Sequence, residues 1–182
     1  LGMMIMAGGA ELITVFLGVE LMSVSLYVLA GYARTRMISN ESSLKYFLLG
    51  SFASGFLLYG IALLYGSTGT TNIQGISKVL STAGLQSPAL VIGMALLVVG
   101  FGFKAALAPF HMWTPDVYEG APAPITAFMS AGPKAAAFAA FARIFYEALP
   151  TLQGEWTAVI WTILALVNNK GDVTGTDSNG KT

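Results

Sequence analysis

VVGFGFKAALAPFHMWTPDVYEGAPAPITAFMSAGPKAAAFAAF, residues 98–141, contains two lysines within sequence that otherwise reads as membrane-spanning. Lys104 and Lys134 lie thirty residues apart in this stretch. A charged side chain near the centre of a bilayer costs roughly 2.5–3.5 kcal/mol on insertion scales. Intramembrane charges mark ion and proton pathways, so the two lysines predict a chain that moves protons or ions.

The composition of the chain indicates a membrane protein. Hydrophobic residues make up 55% of it and charged residues only 10%, whereas a soluble domain is about 25% charged. The formal net charge is zero, which predicts no nucleic-acid partner and no polybasic surface anchor; the expected surroundings are a lipid bilayer. Cysteine is absent, which excludes thiolate metal sites and cysteine-ligated iron–sulfur clusters.

The apolar stretches predict an all-α, polytopic transmembrane bundle over residues 1–167, since a span needs about 20 largely apolar residues. The first ten residues are expected to be the end of a helix, and 66–87 the longest loop. Residues 168–182 are predicted to form a polar, disordered tail. The predicted spans are 11–32, 41–65, 88–118 and 125–149, with a partial span at 156–167.

The loops predict an orientation. Arg34 and Arg36 closely follow the first span, whereas 66–87 carries one cation, Lys78. The positive-inside rule therefore predicts that the two arginines are cytoplasmic and that 66–87 lies on the opposite side.

Lys104 precedes an expected helix break. The ring of Pro109 clashes with the carbonyl of Ala105, so the third span should break or kink just after the lysine. Carbonyls freed at a helix C-terminus favour a cation, which makes Lys104 a candidate proton-handling group. The alternative is a kinked helix whose lysine extends to the membrane interface.

Two further intramembrane charges extend this prediction. Lys134 follows Pro133, is surrounded by small residues and lies near the middle of its span, so we expect it to face the bundle. Glu20 shares a helix face with Ser23 and Tyr27, and an ion pair between Glu20 and Lys104 is the favoured arrangement. A static buried salt bridge is the alternative interpretation.

The remaining polar groups have simpler interpretations. His111, the only histidine, is either a proton relay or a hydrogen-bonded packing residue, and no second histidine completes a metal site. Asp116 and Glu119 are expected to be loop anions. Arg143 and Glu147 are expected to form a surface ion pair.

The segment FKAALAPFHMWTPDVYEGAPAPITAFMSAGPKAAAF, residues 103–138, resembles subunit N of the proton-translocating NADH:quinone oxidoreductase, bacterial respiratory complex I. The segment FLGVELMSVSLYVLAGY, residues 16–32, is similar to the glutamate-bearing helix of the same family. The resemblance implies the first inverted repeat of an antiporter-like subunit, with one discontinuous helix. It assigns Glu20, Lys104, Lys134 and His111 to a proton pathway in which Glu20 and Lys104 form a switchable pair.

The resemblance also implies a cellular setting. The chain is expected to bind no redox cofactor, while NADH, flavin, iron–sulfur clusters and quinone are handled by partner subunits. Its expected partners are the other membrane subunits of the complex, and its expected location is the bacterial inner membrane. It would act as a non-redox translocating subunit, without catalysis by the chain alone.

A second repeat is not found in the sequence, which suggests a fragment of a longer subunit. Two alternatives stay open at this point. One is a related subunit of a cation/proton antiporter or of a membrane-bound hydrogenase complex. The other is a fragment that does not conduct.

Overall fold

The computed structural model describes residues 1–83 and 87–171, which form an all-α bundle without a strand. A π-helical turn, Ile144–Ala148, continues α7, and a short 3-10 turn, Pro150–Leu152, precedes α8. The helices are α1 (Gly2–Gly8), α2 (Leu12–Ala30), α3 (Met37–Thr68), α4 (Ile73–Ala83), α5 (Pro88–Ala105), α6 (Thr114–Gly120), α7 (Ala123–Arg143) and α8 (Gln153–Gly171).

Four helical segments among the described residues are long and apolar enough to cross a membrane. They are Leu12–Ala30, Met37–Thr68, Pro88–Ala105 and Ala123–Ala148. Two contacts show which helix ends lie together. The start of α2 meets the start of α4 through a bridge between Glu11 and Asn72. Lys45, near the start of α3, contacts Asp116 in α6. The bundle therefore has α6 at the end where α2 passes into α3, and α4 at the other.

The segment 66–87 is not the loop that the sequence predicted. Its centre folds as α4, which buries Ile73, Ile76 and Leu80 along one face. Helical neighbours are three or four residues apart, so these three side chains form a single apolar stripe. The stripe packs beneath the π-helical turn that continues α7.

The boundary predicted for the polar tail, at residue 168, also lies too early in the sequence. Helix α8 extends to Gly171, so residues 168–171 are helical, whereas residues 172–182 lie outside the described part of the chain. Helix α3 extends beyond both ends of the predicted span 41–65, because polar residues at its start are accommodated at the end of the bundle.

The third predicted span is interrupted as expected. Helix α5 starts with Pro88 in its first turn, behind Ser87, whose Oγ accepts a hydrogen bond from the amide of Leu90 at 3.2 Å. It ends at Ala105, and Ala106 takes the left-handed conformation, with φ of 56°. The chain then passes through turns to the short helix α6.

Glycines allow α5 to lie close against α3. A side chain at Gly60 of α3 would meet the carbonyl oxygen of Gly93 at 2.8 Å, so the two backbones pass each other almost in contact. Small residues at such crossings are typical of helix packing in membranes. This crossing fixes α5, and with it the position of Lys104, against the centre of the bundle.

Candidate functional site

Lys104 is the centre of the polar interior. It occupies the last turn of α5, and only 4% of its surface is exposed. Its Nζ donates to Ser23 Oγ at 2.8 Å and to Tyr27 Oη at 3.3 Å. Both acceptors belong to α2, where they lie one turn apart on the same face. We call this cluster of Lys104, Ser23 and Tyr27 the lysine site.

The lysine site lies deep in the bundle. Ser23 is eleven residues beyond Leu12, the first residue of α2. This corresponds to about 17 Å along the helix axis, near the middle of a core that is about 30 Å thick. The contact with Ser23 therefore opposes the alternative in which Lys104 extends to the interface.

The surroundings of the Lys104 ammonium favour a cation, although no carboxylate in the described part of the chain forms an ion pair with it. Ser23 Oγ donates to the carbonyl of Val19 at 2.6 Å, which leaves its lone pairs facing the lysine. The rings of Tyr27 and Phe103 each lie 5.7 Å from Lys104 Nζ, within cation–π range. Hydroxyl dipoles and ring faces thus replace part of the lost hydration.

The backbone at the helix break forms its own hydrogen bonds. The amides of Leu107 and Ala106 donate to the carbonyls of Gly102, at 2.8 Å, and Phe103, at 3.1 Å, in the pattern of a Schellman cap. These two carbonyls are therefore satisfied by the backbone, and the hydrogen bonds of the Lys104 ammonium go to hydroxyls instead. The break ends α5 within one turn of the lysine, and hydroxyls of α2 solvate its ammonium.

Glu20 does not form the direct ion pair that the sequence favoured. Among the described residues no carboxylate forms a salt bridge with Lys104. Glu20 is half-buried and accepts instead a hydrogen bond from Ser54 of α3. Glu20 and Ser23 are three residues apart on α2, so the carboxylate is a near neighbour of the lysine site without touching the ammonium.

Lys134 lies on α7, half-buried, with its Nζ 5.3 Å from the centre of the Tyr118 ring. His111 lies in the turns between α5 and α6, and its side chain is exposed. The structure thus places Glu20 beside the lysine site and Lys134 against α6. It does not bring the His111 imidazole into either group.

A series of aromatic side chains joins the surroundings of the two lysines. The ring centres of Tyr27 and Tyr46 are 4.8 Å apart, those of Tyr46 and Trp113 are 4.6 Å apart, and those of Trp113 and Tyr118 are 6.1 Å apart. Trp113 is fixed by a hydrogen bond from its Nε1 to the carbonyl of Phe103, at 3.2 Å. We call Tyr27, Tyr46, Trp113 and Tyr118 the aromatic bridge, and it ends at Lys134. Sequence reasoning identified only Tyr27 among these residues, together with Ser23; Ser54 also escaped it.

The other charges hold the ends of the bundle together. Asp116 lies in α6, not in a loop, and contacts Lys45 at 2.9 Å; Lys45 also contacts Glu41 at 2.8 Å. Arg143 contacts Glu147 at 3.4 Å. Its Nη1 also donates to two carbonyls at the end of α1, those of Ala7 at 2.7 Å and of Gly9, the residue after the helix, at 3.0 Å.

No group of three or more histidine, aspartate or glutamate side chains suited to a metal ion occurs among the residues that the structure describes. In the same part of the chain, the buried polar side chains are Lys104 and the serines Ser23, Ser39, Ser42 and Ser54. An all-α, multi-pass bundle with a lysine buried at the break of a discontinuous helix defines the class of antiporter-like membrane proteins. The chain belongs to the family described as "NADH:quinone oxidoreductase/Mrp antiporter, TM", which matches residues 9–168.

Curated relatives carry the name NADH-quinone oxidoreductase subunit N. That of Trichlorobacter lovleyi is 56% identical over 95% of this chain and 36% of its own length. That of Chloroflexus aggregans is 47% identical over 97% of this chain and 37% of its own length. The chain therefore spans about a third of these relatives. It is a multi-pass membrane polypeptide, and in bacteria such proteins of this family lie in the inner membrane.

Solved structures share the fold. A chain of respiratory complex I from Thermus thermophilus is 46% identical, with a TM-score of 0.69, over 78% of this chain and 31% of its own length. A chain of the membrane-bound sulfane sulfur reductase, an archaeal respiratory membrane complex, is 35% identical, with a TM-score of 0.71, over 80% and 29%. A chain of the Mrp complex from Dietzia is 29% identical, with a TM-score of 0.67, over 80% and 28%.

Proposed function

We propose that this chain is the first antiporter-like repeat of a subunit N. In this role it conducts protons across the membrane while other subunits transfer electrons from NADH to quinone. The names of its relatives and the likeness to a chain of respiratory complex I support this proposal. The subunit belongs to an oxidoreductase complex and acts within it as a translocase.

The observation that carries the proposal is the lysine site. An ammonium in the membrane interior is costly, and Lys104 is buried with two hydroxyl partners and, within residues 1–83 and 87–171, no ion-paired carboxylate. Two hydroxyls do not fully replace the hydration of a charge. The lysine site thus places a titratable amine in the membrane interior, within reach of hydroxyl groups, as a proton carrier in a pathway requires.

Glu20 is proposed to control this balance. Ser54 holds the carboxylate beside the lysine site, on the same face of α2 as Ser23. Movement of the carboxylate from Ser54 toward Lys104 would favour the ammonium, and its return would favour release of the proton. The switchable pair is thus a change of partner at Glu20, with Ser54 as the alternative partner.

Lys134 is proposed as the next proton carrier. Its half-buried position against Tyr118, at the far end of the aromatic bridge, supports this order. His111 is proposed to act as a relay at the helix break, because its exposed side chain lies in the turns that follow Lys104 and imidazole titrates near neutral pH in its unperturbed state.

Redox chemistry is proposed to lie outside this chain. We propose that it binds no flavin, iron–sulfur cluster or quinone, and that these groups belong to partner subunits. The other membrane subunits of the complex and the surrounding lipids are the proposed contacts of its exposed apolar surface.

The proposal is tested by Lys104→Met in the full-length subunit within the assembled complex. Met has a similar length and no titratable group, so NADH-driven acidification of inverted membrane vesicles should fall sharply. Lys78→Met is the matched control, because Lys78 is exposed on α4. Unchanged pumping in an assembled Lys104→Met complex would contradict the proposal.

A subunit of a cation/proton antiporter or of a related membrane-bound respiratory complex is the second candidate. The TM-scores to the sulfane sulfur reductase and the Mrp complex support it. The two candidates differ in what drives transport. Proton movement that requires NADH and quinone supports the first, whereas Na⁺/H⁺ exchange that persists without NADH supports the second.

A further inference from the structure

Helix α6 carries two buried hydroxyls that the proton pathway described above does not use. Thr114 Oγ1 and Tyr118 Oη are both buried, and neither has a hydrogen-bond partner among the described residues. They are four residues apart on one helix and so share a face. Buried hydroxyls in native proteins are bonded to protein or to ordered water, so this pair needs a partner.

The Tyr118 side chain lies between the surroundings of the two lysines, and Thr114 is one turn before it on α6. Tyr118 is the aromatic neighbour of Lys134, whose Nζ is 5.3 Å from its ring centre. The same ring packs edge-on against Trp113, which is bonded to the carbonyl of Phe103, the residue before Lys104. Thr126 Oγ1 donates to the Tyr118 carbonyl at 3.2 Å, which fixes α6 against the start of α7.

We propose that Thr114 and Tyr118 hold ordered water beside Lys134 and that this hydroxyl pair positions the water for proton transfer to Lys134. The proposal rests on the proton-conducting function. A hydroxyl donates one hydrogen bond and accepts two, so the pair can fix a water molecule that needs about three partners. The lysine amine is the remaining partner.

The transfer conserves atoms and charge. The water receives one proton from the Lys104 side of the pathway and gives one to the Lys134 amine, which becomes an ammonium. The hydroxyls of Thr114 and Tyr118 exchange hydrogen bonds but are not consumed. Both residues therefore act as positioning residues.

Thr114→Val and Tyr118→Phe, singly and together, test the proposal in the full-length subunit of the assembled complex. Each change removes the hydroxyl and keeps the shape, and Phe keeps an aromatic ring near Lys134. We expect the rate of NADH-driven proton movement to fall about tenfold in the double variant, with an altered H₂O/D₂O rate ratio. Tyr59→Phe is the matched control, because Tyr59 is 59% exposed on α3.

A high-resolution structure of the wild-type complex provides a readout that does not depend on activity or on the folding of a variant. Water within hydrogen-bond distance of both hydroxyls supports the proposal, and a dry contact or a direct protein partner overturns it. Pumping and isotope ratios equal to those of Tyr59→Phe also overturn it. If Lys104→Met abolishes pumping while both α6 variants pump normally, only the hydroxyl-pair inference fails; if Lys104→Met pumps normally, the proposed function itself fails.

Discussion

Removal of the Ser23 hydroxyl should destabilise the subunit only while Lys104 is present. Ser23 Oγ accepts from Lys104 Nζ at 2.8 Å and donates to the carbonyl of Val19 at 2.6 Å. In the single variant Ser23→Ala the ammonium loses its shorter hydrogen bond. In a Lys104→Met background only the bond to Val19 is lost, and such bonds back to the preceding turn contribute little to helix stability.

The magnitude follows from the kind of hydrogen bond. Neutral side-chain hydrogen bonds in a membrane protein average about 0.6 kcal/mol and reach about 1.7 kcal/mol, and a charged partner roughly doubles the strength. We therefore expect a coupling energy of about 1–2 kcal/mol between Ser23 and Lys104. Lys104→Met alone should be nearly neutral or stabilising, because it removes two bonds together with a buried charge that costs roughly 2.5–3.5 kcal/mol.

The assay is the free energy of unfolding of the full-length subunit in mixed micelles, measured for the four members of the double-mutant cycle. Ser25→Ala is the matched control, since Ser25 Oγ donates to the carbonyl of Leu21 at 2.9 Å on the exposed side of α2. Effects of Ser23→Ala and Lys104→Met that add to within about 0.5 kcal/mol would refute the account of the lysine site.

Two backbone positions give further predictions. Gly50→Ala places a methyl group against the Tyr27 hydroxyl, so it should destabilise the subunit by about 1–3 kcal/mol and lower pumping, whereas Gly55→Ala meets open space and should do neither. Equal effects of the two changes in unfolding and pumping assays would contradict this packing. Ala106→Gly should stabilise by about 0.5–1 kcal/mol because it relieves the left-handed φ of 56°. Ala139→Gly, on the exposed side of helix α7, should destabilise by about 1 kcal/mol, and a thermal-unfolding shift of the same sign for both changes would contradict the cap.

The interruption after Lys104 could be predicted from the sequence because Pro109 cannot continue a helix. The way in which the backbone closes the break could not. The left-handed residue of the cap is Ala106, and sequence rules expect glycine at that position. The cap gives backbone hydrogen bonds to the carbonyls of Gly102 and Phe103, whereas the sequence predicted only that carbonyls at the end of the helix would favour a cation.

Helix α4 was missed although its signal is present. Ile73, Ile76 and Leu80 have helical spacing, but the glycine, serine and threonine around them indicate a loop. The segment is helical because its apolar residues are buried against the π-helical turn that continues α7. Such a tertiary contact cannot be predicted from local composition.

At the candidate site, the hydrogen-bond partner of Glu20 also could not be predicted from the sequence. The face shared with Ser23 and Tyr27 was readable from helical spacing, and both residues contact Lys104. Ser54 lies thirty-four residues away in the chain, and only the packing of α2 against α3 brings it to Glu20. The candidate charged residues could be identified from the sequence because ionisable residues are rare within apolar membrane spans.

The most direct test of the central claim, that Lys104 takes up and releases a proton, is NADH-driven proton pumping by the assembled complex with Lys104→Arg. Arginine keeps a positive charge at this position but does not release its proton in proteins. The account predicts that pumping falls to the level of Lys104→Met while the complex still assembles. Pumping at the wild-type rate with arginine would show that a fixed charge suffices, and would contradict the account.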